Sequence, residues 1–397
     1  MSEKPKGCAY IDRSYEFSTV NTPSGPVVRS KPCCYAHWNK IPSDIRYRKN
    51  LPVYSGEERL SDHPVIEWFR SHDTANGEYP SACDPCIKKE ALGAESPRQQ
   101  AYDDVDNLNP DGLYTIDIMV GNECNLACAM CNIYSSNLIQ KESAKHADTP
   151  NIWRAPEEWE NLSMDSDASF AQLDQLMDRH SVGLVKFKGG EPLLKRNWEN
   201  LKRGLDAGKY ANTNVKITTN GVNLTARVLD TLSQAKHCRI IVSFDGVGPV
   251  CDFVRWPNTW EKFQKTLDVV RNNSHDNITI NSSTIINMLN ICDVANIYRE
   301  AKAAGFYKIH FDDDLKPEGH VLDYRNLCPD VRKDIKNNLP MDILQHGTPF
   351  KYIIDSEHRG WSDSKEIKRT LAWFEKHRKQ SLDTVFPPSV YNWYTNL

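Results

Sequence analysis

The sequence predicts an α/β fold, a parallel sheet built from repeated strand–helix units and preceded by a small cysteine-rich domain. Three observations carry this. From residue 114 onward, short apolar runs rich in β-branched residues alternate with segments of helical period; five cysteines are collected before that point; and the first strands end in polar or glycine-rich turns. Repeated βα units close through right-handed crossovers into a parallel sheet, and such sheets bind ligands beyond the carboxyl ends of their strands.

The elements follow in order. Leu113–Val120 alternates apolar and polar residues and delivers a cysteine loop, after which Tyr134–Glu142 has helical character. The next strand, Leu184–Lys188, stops at Gly189-Gly190-Glu191-Pro192. Asn214–Thr219 stops at Asn220-Gly221, and Arg239–Ser243 at Phe244-Asp245-Gly246. Ile278–Ile285 and Tyr307–Phe311 complete six strands, with helical segments at Leu224–Gln234, Trp260–Arg271 and Ile291–Ala304. Residues 146–167, rich in Pro, Asn and Asp, read as a flexible insert. The expected domains are 1–110, cysteine-rich; 111–325, the strand–helix repeat; and 326–397, a helical and aromatic extension carrying Trp361, Trp373, Phe374, Tyr391, Trp393 and Tyr394. These aromatics either cover the mouth of the sheet or pack against its core.

Composition narrows the function. The 397 residues allow one large domain and a smaller one. Net charge is −4, from 49 basic and 53 acidic residues, so no global field favours nucleic acid or an anionic membrane. No apolar run approaches the roughly 18 residues of a membrane span, and the N-terminal Met-Ser-Glu-Lys-Pro-Lys lacks an export signal. A cytoplasmic protein is expected. Its twelve cysteines then point to metal binding or catalysis rather than disulfides.

The loop after the first strand places Cys124, Cys128 and Cys131 at C-x3-C-x2-C spacing. Three thiolates are one ligand too few for structural zinc, whereas an iron cluster held by three keeps a coordination position open. Half of a zinc ribbon is the alternative. Paired glycines at Gly189-Gly190 allow close approach of backbone to ligand, and Pro192 fixes the turn that follows.

These residues resemble the radical SAM superfamily. The resemblance implies a partial, six-stranded (β/α)6 barrel in which Cys124, Cys128 and Cys131 bind a 4Fe-4S cluster. S-adenosyl-L-methionine would chelate the fourth iron and be reductively cleaved to a 5′-deoxyadenosyl radical. Gly189, Gly190, Glu191 and Pro192 match the motif that contacts the methionine amino group. Thr219 and Asn220, at a strand end, are candidate cofactor contacts. Ser243 and Asp245 match the Ser-x-Asp-Gly strand end that faces ribose or substrate; the bland reading is a turn or helix cap. Arg255 is a candidate partner of a cofactor or substrate carboxylate, or a solvated arginine. Asn287 resembles a polar position that meets the cofactor, or is a turn asparagine. No residue is assigned to catalysis of the chemical step itself.

The N-terminal region holds Cys8, Cys33, Cys34, Cys83 and Cys86. Neighbouring side chains of an extended chain point to opposite faces, so one of Cys33 and Cys34 is expected to ligate and the sequence leaves open which. The pattern resembles the twitch/SPASM auxiliary-cluster modules of radical SAM maturases. It is carried by Cys8, Ser24-Gly25, Cys33-Cys34-Tyr35, the helix-like Pro64–Arg70, Cys83-x2-Cys86, Glu90, Gly93, Glu95, Ser96 and Arg98. A second, auxiliary 4Fe-4S cluster is implied, serving oxidation, substrate anchoring or sulfur insertion; a zinc knuckle is the alternative. Cys238, Cys251, Cys292 and Cys328 lie outside both groups, either buried or donating hydrogen to a product radical.

The expected activity is hydrogen abstraction from a small natural-product or metabolite substrate, sugar- or nucleoside-like. A peptide maturase and a non-catalytic zinc or iron–sulfur protein are the rivals. The resemblance also implies an electron donor such as flavodoxin or ferredoxin. Neither a membrane nor nucleic acid is expected as a partner.

Overall fold

The structure is a computed structural model and describes residues 7–22, 25–37, 40–46, 63–91, 96–99, 113–154, 163–312, 320–339, 343 and 363–397. Ser24, Gly93, Glu95 and Trp361 lie outside the described residues. Two compact units are present. One comprises Met1–Gly121, Glu158–Ile217 and Thr231–Cys238; the other comprises Asn122–Glu157, Thr218–Asp230 and Arg239–Leu397.

The first unit is built on strands β1 (Ser14–Thr22), β2 (Gly25–Lys31), β3 (Leu113–Met119), β4 (Ser163–Met164), β5 (Val182–Lys188) and β6 (Asn214–Thr219). β3, β5 and β6 pair in parallel, as the strand–helix repeat predicts. β1 adds a further parallel strand beside β3, with β2 and β4 antiparallel to it. β1 is an additional strand beyond the six expected, and its Ser14-Tyr-Glu-Phe-Ser-Thr-Val20 alternates polar and apolar residues.

Register fixes two faces. Phe17, Ile118, Phe187 and Ile217 form one cross-strand row. They are at most 1% exposed, because helix Ser166–Arg179 sends Phe170 onto Phe187 and Tyr210 meets the same ring edge-on. One residue along each strand, Glu16, Asp117, Lys186 and Lys216 form the opposite row. Asp165 caps the helix by accepting from Ala168 N–H at 2.9 Å.

The second unit contains β8 (Ile278–Ile285), flanked by β7 (His237–Ser243) and by β9 (Ile309–Asp312), which is parallel to β8. Helices Trp260–Arg271 and Val294–Ala304 fall where helical period was expected. The C-terminal helices, Ser364–Arg378 and Pro388–Thr395, bury Trp373, Phe374 and Tyr394 in the hydrophobic core that also holds Ala127 and Cys128. Trp153, inside the segment expected to be a flexible insert, is fully buried in that same core. No helix among the described residues is long and apolar enough to cross a membrane.

Candidate functional site

The first cysteine loop is held by its main chain. Ala127 N–H donates to Trp256 O at 2.7 Å, Ala129 N–H to Val254 O at 2.9 Å, and Cys131 N–H to Cys128 O at 3.0 Å. Asn137 Oδ1 accepts from Cys124 N–H at 3.2 Å, and Ser136 donates to Leu126 O at 2.6 Å while capping helix Asn137–Ser143. Trp153 Nε1 donates to Cys131 O at 2.9 Å. These bonds fix the path of the loop's main chain, and Leu126 N–H also donates to Cys124 Sγ at 3.4 Å.

Burial pushes the Cys128 and Cys131 thiols up, and Cys131 is raised further by the nearby sulfurs of Cys128 and Cys124. Thiols so placed stay protonated until a cation displaces the protons. Among the described residues, Glu16/Cys34/Asp117 and His146/Asp148/His377 each gather three ligand atoms within 4.8 Å.

Two buried guanidiniums act on Cys128, and both pull its pKa down against burial. Arg255 is paired with Asp245, Nη1 to Oδ2 at 2.9 Å, and the other Asp245 oxygen accepts from Ile285 N–H at 2.8 Å. These two sequence candidates therefore meet each other, and Arg255 is not a solvated residue. Arg378 makes a two-pronged pair with Glu142, at 3.0 and 2.7 Å, and lies 4.6 Å over the Trp153 ring. Neither Arg378 nor Trp153 belongs to a motif. The only sequence hint of Arg378 is a basic residue ending an amphipathic helix.

Asn220 reaches the loop, donating to Asn125 Oδ1 at 2.8 Å with its amide nitrogen 3.9 Å from Cys124 Sγ. Thr219 Oγ1 accepts from Gly221 N–H at 3.1 Å. Asn287 is fully buried and spends its amide on Ile285 O and its carbonyl on Leu289 N–H, as a turn residue does. Ser243 ends β7, half-buried.

In the first unit, Gly189 has φ +118°, and a Cβ there would lie 2.7 Å from Gly121 O, so only glycine fits. Gly190 N–H donates to the same oxygen at 2.7 Å. Glu191 is buried, its Oε1 accepting from Leu193 N–H at 2.9 Å, and Asn197 donates to its carbonyl at 3.1 Å. Pro192 completes the turn into helix Lys195–Asp206.

The N-terminal cysteines separate into two environments. Burial raises Cys8 to about 12, and Cys33 and Cys86 add to the rise; Cys83 is raised by burial and then by Cys33, Cys8 and Cys86. The thiols of Cys8, Cys33, Cys83 and Cys86 thus converge, beside a small core of Ile11, Ala36, Ile41, Val65, Phe69 and Ala82. Cys34 does not join them. Burial lifts it to about 11, and its charged neighbours are Lys188, Asp117, Glu16 and Lys186. Glu90, Ser96 and Arg98, which the sequence marked, form one support. Arg98 pairs with Glu90, donates to Gly7 O at 2.6 Å and stacks 5.1 Å over Tyr79, while Ser96 donates to Glu90 at 2.5 Å. Gly7 immediately precedes Cys8. Of the remaining cysteines, burial raises Cys238, Cys251 and Cys292 to about 12.

Residues 118–301 match the family model of the radical SAM superfamily, a span holding the C-x3-C-x2-C loop and the Gly-Gly-Glu-Pro turn. The chain carries a radical SAM domain. Cys8, Cys33, Cys34, Cys83 and Cys86 lie outside the matched span. A probable GTP 3′,8-cyclase of Methanocella arvoryzae is 29% identical over 133 residues, 34% of this chain and 34% of that protein. The sporulation killing factor maturation protein SkfB of Bacillus subtilis is 22% identical over 259 residues, 65% of this chain and 56% of that protein. The chain thus spans between a third and just over half of these relatives. The solved structure of anSMEcpe with bound AdoMet is 17% identical, covering 59% of this chain and 58% of its own, at a TM-score of 0.41.

Proposed function

We propose that this chain is an enzyme that reductively cleaves S-adenosyl-L-methionine and abstracts a hydrogen atom from a small polar metabolite. The observation that carries this reading is the loop of Cys124, Cys128 and Cys131 inside the radical SAM match, its main chain held by hydrogen bonds. These three would hold the 4Fe-4S cluster. Bound there, cluster and S-adenosyl-L-methionine supply a 5′-deoxyadenosyl radical, and the hard chemistry is theirs.

The chain's own residues position and shield. Gly189 and Gly190 let the backbone approach the methionine end, and Glu191, tied into that turn, offers carboxylate character to an ammonium. Arg255, paired with Asp245, and Arg378, paired with Glu142, place positive charge beside Cys128, favouring its ionised form. Trp153 and Phe374 exclude water from the same region. Thr219, Asn220 and Ser243 stand at strand ends as candidate contacts for the rest of the cofactor, whereas Asn287 is committed to its own turn.

The quartet Cys8, Cys33, Cys83 and Cys86 supports an auxiliary 4Fe-4S site, with four protein thiols and therefore no open position. This closed set suits electron acceptance better than direct substrate ligation. Twelve free cysteines fit a reducing cytoplasm, with flavodoxin or ferredoxin as the electron source.

A second reading is peptide modification. It is favoured by SkfB, a maturation protein by name, whose alignment reaches 65% of this chain. Co-expression with a short precursor encoded nearby would show it as a mass change in that peptide.

Anaerobic reconstitution followed by reductant and S-adenosyl-L-methionine tests the main reading. Release of 5′-deoxyadenosine by the native chain and none by Cys124→Ala is expected. Equal release from both would refute the assignment.

A further inference from the structure

The last turn of helix Ser364–Arg378 carries three basic residues in a row, Lys376, His377 and Arg378. Arg378 is committed to Glu142. The other two reach a different carboxylate: Lys376 Nζ lies 2.8 Å and His377 Nε2 3.1 Å from Asp148 Oδ2.

The segment that presents Asp148 follows helix Asn137–Ser143 and is folded back on itself. Thr149, which is buried, closes it: its N–H donates to His146 O at 3.2 Å, and its hydroxyl lies 3.0 Å from Ser143 O and 2.5 Å from His146 O. This turn delivers a second imidazole to the same place. The His146 ring lies 4.0 Å from that of His377 and meets Trp373 edge-on at 5.7 Å, while Trp373 also backs His377 at 4.8 Å. Among the described residues, neither ring nitrogen of His146 has a hydrogen-bond partner. One ligand atom from each of His146, Asp148 and His377 lies within 4.8 Å of the other two, and all three residues belong to the second unit.

A carboxylate beside basic side chains is commonplace at a surface, but here two imidazoles are packed against each other next to it. Two nitrogen donors and one carboxylate oxygen form a ligand set suited to zinc and its neighbours in the first transition row. The two elements that supply them are already fixed to one another, because the buried Arg378–Glu142 pair ties the end of the helix to Asn137–Ser143. Little conformational freedom is therefore left to lose when an ion binds. The Asp148 side chain is 47% exposed, which leaves an approach from solvent. Lys376 is the competitor for that carboxylate. Its side chain is 67% exposed, and a surface ion pair of this kind is weak enough for the lysine to move into water.

We propose that His146, Asp148 and His377 form a binding site for a divalent cation of the zinc class, with water completing the coordination. The ion takes the place of Lys376 on Asp148 and fastens the C-terminal helix to the segment that follows the first cysteine loop. Its donors are imidazoles and a carboxylate, so it is chemically distinct from the thiol groups of both cysteine sites and takes no part in the radical chemistry. An ion that binds the folded chain stabilises it by mass action, so the melting temperature of the second unit rises with zinc concentration.

The test is zinc titration of the full chain after reconstitution with iron and sulfide, followed by calorimetry and by X-ray absorption at the zinc edge. One zinc per chain is expected, with nitrogen and oxygen scatterers at about 2.0–2.1 Å and no sulfur at about 2.3 Å. His146→Phe keeps a ring against Trp373 and His377 but removes the donor, and should weaken zinc at least tenfold; Asp148→Asn should do the same. Lys376→Gln frees the carboxylate from its competing cation and should bind zinc more tightly than the native chain. Iron content equal to the native chain's certifies each variant as folded. Zinc held by sulfur alone, no zinc bound by the native chain, equal affinity in His146→Phe, or weaker binding by Lys376→Gln overturns the proposal. Zinc is read at its own absorption edge, so the result stands or falls separately from 5′-deoxyadenosine release.

Discussion

Cys33 and Cys34 are consecutive residues whose sulfurs serve different environments: Cys33 converges with Cys8, Cys83 and Cys86, whereas Cys34 lies within 4.8 Å of carboxylate oxygens of both Glu16 and Asp117. Both lie beyond the end of β2 at Lys31, where the chain turns at Cys34 and sends the two side chains to different surroundings. Substitution by alanine should therefore divide the pair. The native chain should bind about eight irons, two clusters of four. Cys33→Ala should lose about four of these, and Cys34→Ala none, in an iron and sulfide assay after reconstitution. Equal losses from both would show that the two thiols are interchangeable.

Gly189→Ala tests the turn before Glu191. The new methyl would meet Gly121 O at 2.7 Å and Val120 N at 3.3 Å, both backbone atoms, with φ at +118°. Strain of this kind costs roughly 1–3 kcal/mol, with the steric contact added. Gly208 offers the comparison, since its φ of +72° is also left-handed but a Cβ there meets nothing within 4 Å. Gly208→Ala should cost only about 1 kcal/mol in urea unfolding. Gly189→Ala should cost more and slow 5′-deoxyadenosine release at least tenfold.

Arg378 joins the C-terminal extension to the cysteine loop by charge and by stacking. Its side chain is fully buried against Glu142, Trp153 and Phe374. Arg378→Met leaves Glu142 without its partner, a loss of about 3–5 kcal/mol for a buried pair. Arg378→Met combined with Glu142→Leu should recover a good part of that loss, because both charges are then gone. Urea midpoints of the three variants give the answer.

His63 makes the first unit sensitive to acid. It caps helix Pro64–Arg70, accepting from Val65 N–H at Nδ1 with Nε2 facing Val28 O, and burial lowers it to about 4. A depressed histidine means that the unfolded chain binds more protons between pH 6.5 and 4. Stability is therefore fully present above that window and falls as the pH drops through it, by up to about 3 kcal/mol. Asparagine also caps helices but does not titrate, so His63→Asn should flatten the pH dependence of the melting temperature over this range.

The strand–helix order was legible because it rests on periodicity, and Ile278–Ile285 and Trp260–Arg271 begin and end where the pattern places them. The cysteine loop was legible because metal chemistry demands a spacing. β1 was less so: its alternation is short and lies between cysteines that already imply a different module. The choice between Cys33 and Cys34 depends on which face the chain turns to the other three sulfurs, which no local pattern encodes. Arg378 and Trp153 act over long separations in sequence and need tertiary packing to be seen. Asp117, Lys186 and Lys188 did leave a trace, since charges at every second residue of an otherwise buried parallel strand are out of place there.

The claim beneath all of this is that Cys124, Cys128 and Cys131 hold a cluster with one iron open to S-adenosyl-L-methionine. Electron paramagnetic resonance of the dithionite-reduced chain, before and after the cofactor is added, tests it most directly. The native chain and Cys83→Ala should both show a reduced-cluster signal that shifts on addition, while Cys124→Ala should show no shift. A native spectrum that S-adenosyl-L-methionine leaves unchanged, or a shift that survives in Cys124→Ala, would contradict the account.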